Sequence, residues 1–544
     1  MVRDLRQLAD TRFDLLVIGA GIYGALVAWD AALRGLSVAL VDRGDFGGGA
    51  SSNSLKTLHG GLRSLQSLDV PQMRLFIHER RALARVAPHL VRVLPCVVPT
   101  YADLRRGVPL MRAALAINDT VARDRNDDLP DLSLHIPASG ILSRAECLRV
   151  SPLIDPEGVT GGALWHDYQM RNADRLTLAF VRSAESVGAV CANYLAVSRL
   201  LLRDNTVEGA SVTDALSETS LDIRARVTIN AAGAAAGELI ASASSTGRSF
   251  SLPRLSRAMN LVTRQLQETY ASGGMTDGRF LFLVPWRDVS VVGTSHDALD
   301  DQNSPLSLTR AHVEAFLHDA QKAFPRAALT LADIRAVHRG LLPMVSGRGH
   351  KVKLLRESLV IDHQRDGIPG LVSVFGVRYT TARRTAGLVA DAAFRQLGYP
   401  LPPACRTDRI PVSGGDVNNR ADLVRDVLAS THGRLDAAGA ERFVTSYGAG
   451  VAEPLSLLSA PELQLPLSGT CAVTGAEIAY AARVESALRL SDALIRRTEA
   501  GSAGHPGQSA VTRAAAIMRS ELGWSDDQTS REVGDVEAFY KLPF

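Results

Sequence analysis

The sequence predicts an α/β protein of two or three domains, and three observations lead to this prediction. The chain has 544 residues, which is more than one hydrophobic core usually serves. Three glycines at G-x-G-x-x-G spacing join a predicted strand to a predicted helix near the N-terminus, which is typical of a doubly wound parallel sheet. Alternating apolar residues between 251 and 345 predict a second sheet, and the pattern after residue 400 predicts a helical domain.

The N-terminal motif is a strand, a helix and a second strand, predicted over 13–18, 22–33 and 37–41. Gly19 permits a tight turn, Gly21 lets the backbone approach a pyrophosphate, and Gly24 allows the helix to pack closely on the strand. The helix N-terminus offers unpaired N–H groups to the phosphates. Asp42 ends the second strand, where a carboxylate can accept hydrogen bonds from ribose hydroxyls. The motif therefore predicts a bound adenine dinucleotide.

The loop after Asp42 is rich in small residues from 47 to 54, which can wrap amides and hydroxyls around a phosphate or a flavin. A flexible linker is the alternative interpretation. The preceding strand, however, directs this loop back into the cofactor cleft. His59, Gly60 and Arg63 of the HGGLR sequence are therefore expected near the reactive ring.

Two later segments return to the pattern of the first strand. Residues 227–230 predict a strand followed by a small-residue turn at Gly233, and LVSVFG predicts another that ends at Gly376. The long helix that follows has Thr380 and Thr381 as predicted caps, so its positive end would face the flavin. These strands indicate a two-part FAD domain rather than a short NAD module.

Changes of pattern along the chain divide it into three domains. The FAD domain is predicted to comprise 1–95, 155–250 and 346–400, the substrate domain 96–154 and 251–345, and the C-terminal helical domain 401–544. Within them, residues 70–93 are predicted to be helical. Residues 101–127 form a basic amphipathic stretch, for which a packed surface helix is favoured over contact with anionic lipid.

Composition excludes several classes of protein. The formal net charge of +3 argues neither for nor against nucleic acid, but the basic residues are scattered and form no stripe interleaved with aromatic residues, so no nucleic-acid partner is expected. The five cysteines are far apart and no histidines have ligand spacing, so neither a disulfide framework nor a metal site is expected. The charged N-terminus leaves no room for a signal peptide, and no apolar run is long enough to cross a bilayer. A reduced, cytoplasmic setting is the expectation.

Six sequence stretches together resemble the FAD-dependent glycerol-3-phosphate dehydrogenase/oxidase family over nearly the whole chain. They are DLLVIGAGIYGA, SSNSLKTLHGGLR, FLVPWRDVSVVGTSHD, LVSVFGVRYTT and the C-terminal RFVTSYG with RVESALRLSDALIRRT. The resemblance implies a two-part Rossmann-like FAD domain of the glutathione-reductase and glycine-oxidase kind, a β-sheet substrate domain and a C-terminal helical cap.

The resemblance also implies an activity. A secondary alcohol would be oxidised to a ketone by hydride transfer to flavin N5, while a base takes the hydroxyl proton. Electrons would pass to a quinone or to oxygen. Peripheral contact with the cytoplasmic face of a membrane is a further expectation, because quinone-linked relatives associate with membranes. A homodimer is also expected.

Most site residues carry over from the family by position. The expected FAD-binding residues are Gly19, Gly21, Gly24, Asp42, Ser51, Ser52, Lys56, His59, Gly60, Gly233, Gly376 and Thr380. Arg63 and Arg356 match arginines that the family uses around its anionic substrate.

Four positions depart from the family pattern. The family arginine of G-V-R-P is Leu342, the lysine of F-G-G-K is Arg378, the histidine of K-G-S-H is Asn260, and a tyrosine after HGGLR is Ser64. Leu342 cannot contact a phosphate, and Arg378 replaces a compact ammonium with a planar fork. The substrate-binding candidates are Arg63, Asn260, Leu342, Arg356 and Arg378, and the catalytic candidates are His59, Arg339 and Arg378. His338 is a further histidine that could stand near the lost proton acceptor.

These changes lead to the hypothesis that the enzyme acts on a different alcohol, larger than glycerol 3-phosphate and still anionic. Three alternatives remain open: an ordinary glycerol-3-phosphate dehydrogenase that passes electrons to quinone, an FAD-dependent amine oxidase, and a flavoprotein without turnover. A nicotinamide dehydrogenase is disfavoured by the late FGVRYTT strand, which is typical of flavin folds.

Overall fold

A computed structural model of the chain describes residues 3–104, 106–243, 252–277, 279–299, 307–348 and 351–542. The predicted α/β class is confirmed, because two large sheets lie beside a helical C-terminal region. The strands are β1 (Arg12–Ile18), β2 (Val38–Val41), β3 (Thr57–Leu58), β4 (Val91–Tyr101), β5 (Gly140–Ser143), β6 (Val159–Met170), β7 (Val190–Ala192), β8 (Leu195–Arg203), β9 (Thr206–Asp214), β10 (Ser220–Asn230), β11 (Arg254–Arg264), β12 (Ala271–Thr276), β13 (Arg279–Trp286), β14 (Val289–Ala298), β15 (Ile334–Arg348), β16 (Lys351–Leu354), β17 (Leu359–Asp362), β18 (Leu371–Phe375), β19 (Pro466–Ser468) and β20 (Cys471–Thr474).

The helices are α1 (Leu5–Asp10), α2 (Ile22–Leu33), α3 (Val70–Val86), α4 (Val108–Val121), α5 (Arg144–Val150), α6 (Ala173–Ser186), α7 (Ala236–Ala243), α8 (Arg310–Ala323), α9 (Ala382–Gln396), α10 (Arg420–Ser430), α11 (Ala437–Tyr447), α12 (Ala452–Ser456), α13 (Pro461–Gln464), α14 (Gly475–Val484), α15 (Gln508–Leu522) and α16 (Asp526–Tyr540). A π-helix spans Asp492–Arg497, and a 3-10 helix spans Leu62–Ser67.

The first sheet has the order β17-β18-β10-β1-β2-β7, and β9 and β8 extend it from β10. Its central strands run parallel, with Leu15 of β1 beside Val38 of β2 and Val227 of β10. Parallel strands that are covered on both faces are apolar throughout, which explains the buried run of β1 and the fully buried β2. The predicted helix over 22–33 is confirmed as α2.

The second sheet has the order β16-β15-β11-β14-β13-β12-β4-β6-β3, and its pairs are antiparallel except β12 with β4. It carries its own apolar core, centred on Leu261, Leu283 and Val292 and covered by α8. Strand β6 lies within residues 155–250, which are predicted to belong to the FAD domain, but it pairs with β4 of the second sheet. The domain boundaries stay a prediction.

Two sequence expectations need correction. The helix predicted over 70–93 ends at Val86. The VRVLPCVVP sequence that begins at residue 91 is rich in valine and contains two prolines, so it forms strand β4 instead of continuing the helix. Thr381 occupies the N-cap position of α9 but its side chain makes no capping hydrogen bond. Its backbone, at φ −100° and ψ 7°, lies outside the extended region from which a cap side chain reaches the first-turn N–H groups.

The C-terminal region is helical, as expected, and has its own apolar cores. One is centred on Leu494, Val511 and Met518, and another on Phe443 and Tyr480. Among the residues that the structure describes, no helix is both long and apolar enough to span a membrane.

Candidate active site

A cleft of about 3000 Å³ runs between the two sheets and brings together residues that lie far apart in the sequence. All but two of the predicted site residues line it: Gly19, Gly21, Asp42, Ser51, Ser52, Lys56, His59, Arg63, Gly233, Asn260, Arg339, Leu342, Arg356, Gly376, Arg378 and Thr380. The other two, Gly24 and Gly60, are buried behind its wall.

The glycine-rich turn forms one end of the cleft, and its backbone packs too closely for side chains. Gly19 has a φ of +98°, and a Cβ there would lie 2.5 Å from the carbonyl oxygen of Ala231. A Cβ on Gly24 would lie 1.8 Å from the carbonyl oxygen of Gly19. Helix α2 begins just beyond, and the Ile22 N–H donates a 2.9 Å hydrogen bond to Ser51 Oγ. The turn therefore presents bare backbone and a helix N-terminus to the cleft.

Asp42 stands half-buried at the end of β2, where the sequence places it. Its carboxylate accepts hydrogen bonds from the N–H groups of Ala20, at 2.7 Å, and Gly44, at 2.9 Å. Burial raises the pKa of Asp42 to about 6, although both backbone donors oppose this shift. At a pH near 6, a change in its surroundings therefore changes the ionised fraction of the Asp42 carboxyl.

Lys56 is buried in the wall of the cleft. Its Nζ donates a hydrogen bond to the carbonyl oxygen of Ser52 and lies 4.9 Å from the ring centre of Trp286. Burial lowers the pKa of Lys56 to about 8, although the carboxylate of Asp174 opposes this shift. Asp174 is also buried and lines the cleft, and it was missed in the sequence because nothing in its local pattern marks it.

His59 is held by a carboxylate that sequence reasoning missed. Its Nδ1 lies 3.2 Å from Oδ2 of Asp167, which is buried, whereas the imidazole is 54% exposed toward the cleft. Asp167 also accepts hydrogen bonds from the Gly60 N–H and from Nη1 of Arg80, each at 2.7 Å. The pair fixes the imidazole by one nitrogen and leaves the other ring nitrogen for a ligand in the cleft.

Four arginines, Arg63, Arg339, Arg356 and Arg378, line the cleft. Arg356 forms an ion pair with Asp69, and Arg378 donates a hydrogen bond to the Arg356 carbonyl oxygen. Burial lowers the pKa of Arg378, and Arg63 and Arg356 add to this effect by repulsion. Arg63 and Arg339 are exposed in the cleft, and neither has a hydrogen bond or an ion pair with any residue that the structure describes.

The positions that depart from the family pattern have distinct surroundings. Leu342 lines the cleft and pairs with Ser256 of β11. Asn260 is buried, and its Oδ1 accepts a 2.7 Å hydrogen bond from Oγ1 of Thr294. His338, directly opposite Asn260 in the sheet, is kept neutral because burial lowers its pKa well below the ordinary range. Of the two histidines named from the sequence, His59 is exposed in the cleft and His338 is buried.

Tyr23 connects the glycine-rich turn to the segment after β18, a role that no sequence pattern indicates. Its hydroxyl donates to the Arg378 carbonyl oxygen at 2.8 Å and accepts from the N–H groups of Val377 and Arg378 at 3.1 Å. A Cβ on Gly376 would lie 2.0 Å from the Tyr23 ring. Close packing at Gly376 thus positions the segment that leads into α9.

The cleft residues fit an adenine dinucleotide that carries a flavin. The side-chain-free turn at Gly19, the N-terminus of α2 and the carboxylate of Asp42 suit a diphosphate and a ribose. The wall with His59 and the N-terminus of α9 suits the ring system. Among the described residues, no group of histidine, cysteine or acidic side chains could hold a metal ion.

Comparisons with known proteins identify the family of the chain. Residues 14–392 match the family described as FAD dependent oxidoreductase, and residues 405–529 match the C-terminal domain of alpha-glycerophosphate oxidase. The chain is 31% identical to glycerol-3-phosphate dehydrogenase of Mycobacterium leprae, over 97% of this chain and 88% of that protein. It is 26% identical to glycerol-3-phosphate dehydrogenase of Synechocystis sp., over 98% of this chain and 97% of that protein. A glycerol-3-phosphate dehydrogenase structure from Bacillus halodurans, complexed with FAD, has the same fold, with a TM-score of 0.77 and 24% sequence identity. The match covers 99% of this chain and 97% of that chain.

Proposed function

Because this chain belongs to the FAD dependent oxidoreductase family, as an enzyme of the glycerol-3-phosphate dehydrogenase type, we propose that it oxidises a secondary alcohol bearing an anionic group to a ketone. The observation that carries the anionic substrate is the pair of exposed arginines, Arg63 and Arg339. Both line the cleft that holds His59, and neither has a counter-ion among the described residues. Guanidinium groups suit phosphate and carboxylate groups, which they bind through paired hydrogen bonds.

The proposed roles follow from the surroundings of each side chain. Bound FAD supplies the acceptor for the hydride of the alcohol carbon. His59 takes the hydroxyl proton, and Asp167 holds its imidazole in one orientation and stabilises the charge it gains. Arg63, Arg339 and Arg378 hold the anionic group, which fixes the hydroxyl beside His59. Quinone and oxygen are the proposed electron acceptors.

We propose that the substrate is larger than glycerol 3-phosphate. Leu342 stands in the cleft wall where an arginine would shorten the site, and it gives that wall an apolar surface. An anaerobic assay should follow bleaching of the flavin absorption band with glycerol 3-phosphate, longer phosphorylated or carboxylated secondary alcohols, and amino acids. Faster bleaching by a longer anionic alcohol supports the proposal, whereas bleaching only by amino acids contradicts it.

Oxidation of glycerol 3-phosphate itself is the second candidate. It is favoured by the similarity to the Mycobacterium leprae dehydrogenase over 97% of this chain. The same assay separates the two candidates: if glycerol 3-phosphate reduces the flavin faster than any longer anionic alcohol, the second candidate is the correct one.

Leu342→Arg should convert the site toward the small substrate. A new guanidinium in the cleft wall adds a charged hydrogen bond to a phosphate, which contributes about 1.5–3 kcal/mol. We expect kcat/KM for glycerol 3-phosphate to rise about tenfold or more in steady-state assays, and kcat/KM for longer alcohols to fall. Val345→Arg, at an exposed position on the same strand outside the cleft, is the control and should change neither value.

FAD affinity should depend on pH through Asp42. The pKa of this carboxyl is about 6 without ligand, and ribose hydroxyls that donate to it favour its ionised form. Binding therefore releases a proton, so the dissociation constant should fall about tenfold as the pH rises from about 5 to 7. Calorimetric titration of the FAD-free protein measures this. Asp42→Asn should bind more weakly at neutral pH with a flat profile, and an unchanged slope in this variant would contradict the role of Asp42.

A further inference from the structure

The C-terminal region contacts the cofactor domain through a group of buried charged side chains. Asp45, three residues after Asp42, is buried between two arginines of the π-helix Asp492–Arg497. Its Oδ1 accepts a 2.6 Å hydrogen bond from Nη2 of Arg497. Its Oδ2 accepts from Nη1 of Arg497 at 2.7 Å and from Nε of Arg496 at 2.5 Å. Although burial opposes it, these two guanidiniums hold the pKa of Asp45 below its ordinary range.

The same C-terminal segment also binds the chain just after β7, the strand next to β2 in the sheet. The Tyr194 hydroxyl donates a 2.7 Å hydrogen bond to Asp492, which in turn pairs with Arg496. Asn193 donates through Nδ2 to Asp45 at 3.0 Å and to the carbonyl oxygen of Ser486 at 3.0 Å. Segment 485–497 thus holds the chain at the carboxyl ends of two neighbouring parallel strands.

A second buried cluster has the opposite polarity and anchors that segment. Glu485 accepts a 2.6 Å hydrogen bond from Arg175 and a 3.1 Å hydrogen bond from Arg182, both on α6 of the cofactor domain. Nε of Arg497 donates to the Glu485 carbonyl oxygen at 3.0 Å. Because each domain supplies acids to the other's arginines, the segment has one defined position against the first sheet.

We propose that segment 485–497 of the C-terminal domain holds the adenosine end of the FAD site in its binding conformation, with Arg496 and Arg497 as positioning residues. The loop that Asp45 fixes also contains Gly44, whose N–H donates to the Asp42 carboxylate. Asp42, Tyr194 and Arg496 all line the cleft at this end. The second strand of such a sheet ends at the ribose of the dinucleotide.

Loss of one ion pair with Asp45 should weaken ligand binding because fewer molecules then hold the loop after Asp42 in its binding conformation. When only a fraction of molecules holds the binding conformation, the apparent dissociation constant rises by the inverse of that fraction. Loss of one guanidinium leaves the buried Asp45 carboxylate with fewer charged donors, which favours other conformations of the loop. The inference rests on the FAD site and not on the proposed substrate, so ligand-binding measurements test it independently of turnover.

The test is calorimetric titration of the full-length, FAD-free protein with FAD, ADP and FMN. ADP contains the adenosine end of FAD, and FMN lacks it. We expect Arg497→Met to raise the dissociation constants of FAD and ADP at least tenfold and that of FMN less than twofold. Tyr194→Phe, which removes a single hydroxyl, should give a smaller change with the same selectivity. Arg497→Lys should recover part of the loss.

The control is Arg442→Met, which breaks a buried ion pair with Glu477 inside the C-terminal domain. Compared with Arg497→Met at a similar midpoint of urea unfolding, this variant should leave the dissociation constants of FAD, ADP and FMN unchanged. Equal weakening of FAD, ADP and FMN by Arg497→Met and by Tyr194→Phe would overturn the proposal, because the segment would then act on the whole fold. Unchanged ADP affinity in both variants would overturn it as well.

Discussion

His59→Asn is expected to lower kcat by about 10²–10⁴-fold, the usual range for loss of a general base. The imidazole is the exposed member of its pair with Asp167, and no other predicted proton acceptor is both titratable and open to the cleft. An asparagine keeps a polar side chain of similar reach but accepts no proton near neutral pH. Single-turnover reduction of the flavin should slow by the same factor as kcat, whereas KM should change less than threefold.

His78→Asn provides a matched control for this substitution. Its Nδ1 also lies 3.2 Å from a carboxylate oxygen, that of Glu79, and its side chain is 44% exposed. Because His78 does not line the cleft, kcat of this variant should equal that of the unchanged enzyme. If the His59 variant loses less than a factor of ten in flavin reduction, another group must take the proton and the proposed role of His59 is wrong.

The N-terminal motif could be predicted from sequence because its determinants are local. Turn, helix and strand follow within thirty residues, and steric limits at Gly19 and Gly24 leave little freedom. The predicted helix therefore matches α2 at both ends. The alternation of apolar residues predicts the second sheet, although the helix predicted over 70–93 runs past the end of α3 into the first residues of β4.

The partners of the site residues could not be predicted in the same way. Asp167 lies 108 residues after His59, and the β3–β6 pairing brings the two together. Tyr23 occupies an unrestricted position of the glycine motif, and its role appears only when the segment at Gly376 packs against it. Single-residue types and their spacing identified the cleft wall, whereas the hydrogen bonds that orient it depend on sheet pairing between distant segments.

Gly24→Ala should yield a protein that does not retain FAD. The added Cβ would lie 1.8 Å from the Gly19 carbonyl oxygen, and backbone atoms cannot rotate away as a side chain does. Gly19 is itself confined by the Ala231 carbonyl oxygen, so relief must move the turn that forms the phosphate end of the cleft. The ratio of flavin to protein absorption after purification should fall close to zero. The free energy of unfolding of the FAD-free protein should fall by about 3 kcal/mol.

The same change elsewhere in a helix should have the opposite effect on stability. Gly534 lies within α16, and a Cβ there would meet no described heavy atom within 4 Å. Gly534→Ala should therefore raise the free energy of unfolding by about 1 kcal/mol, because alanine is the better helix former, and should retain FAD fully. If Gly24→Ala instead purifies with its flavin and unfolds like the unchanged protein, the turn tolerates a side chain. The diphosphate must then be bound by another part of the cleft, since a cradle made of bare backbone has no spare space at this position.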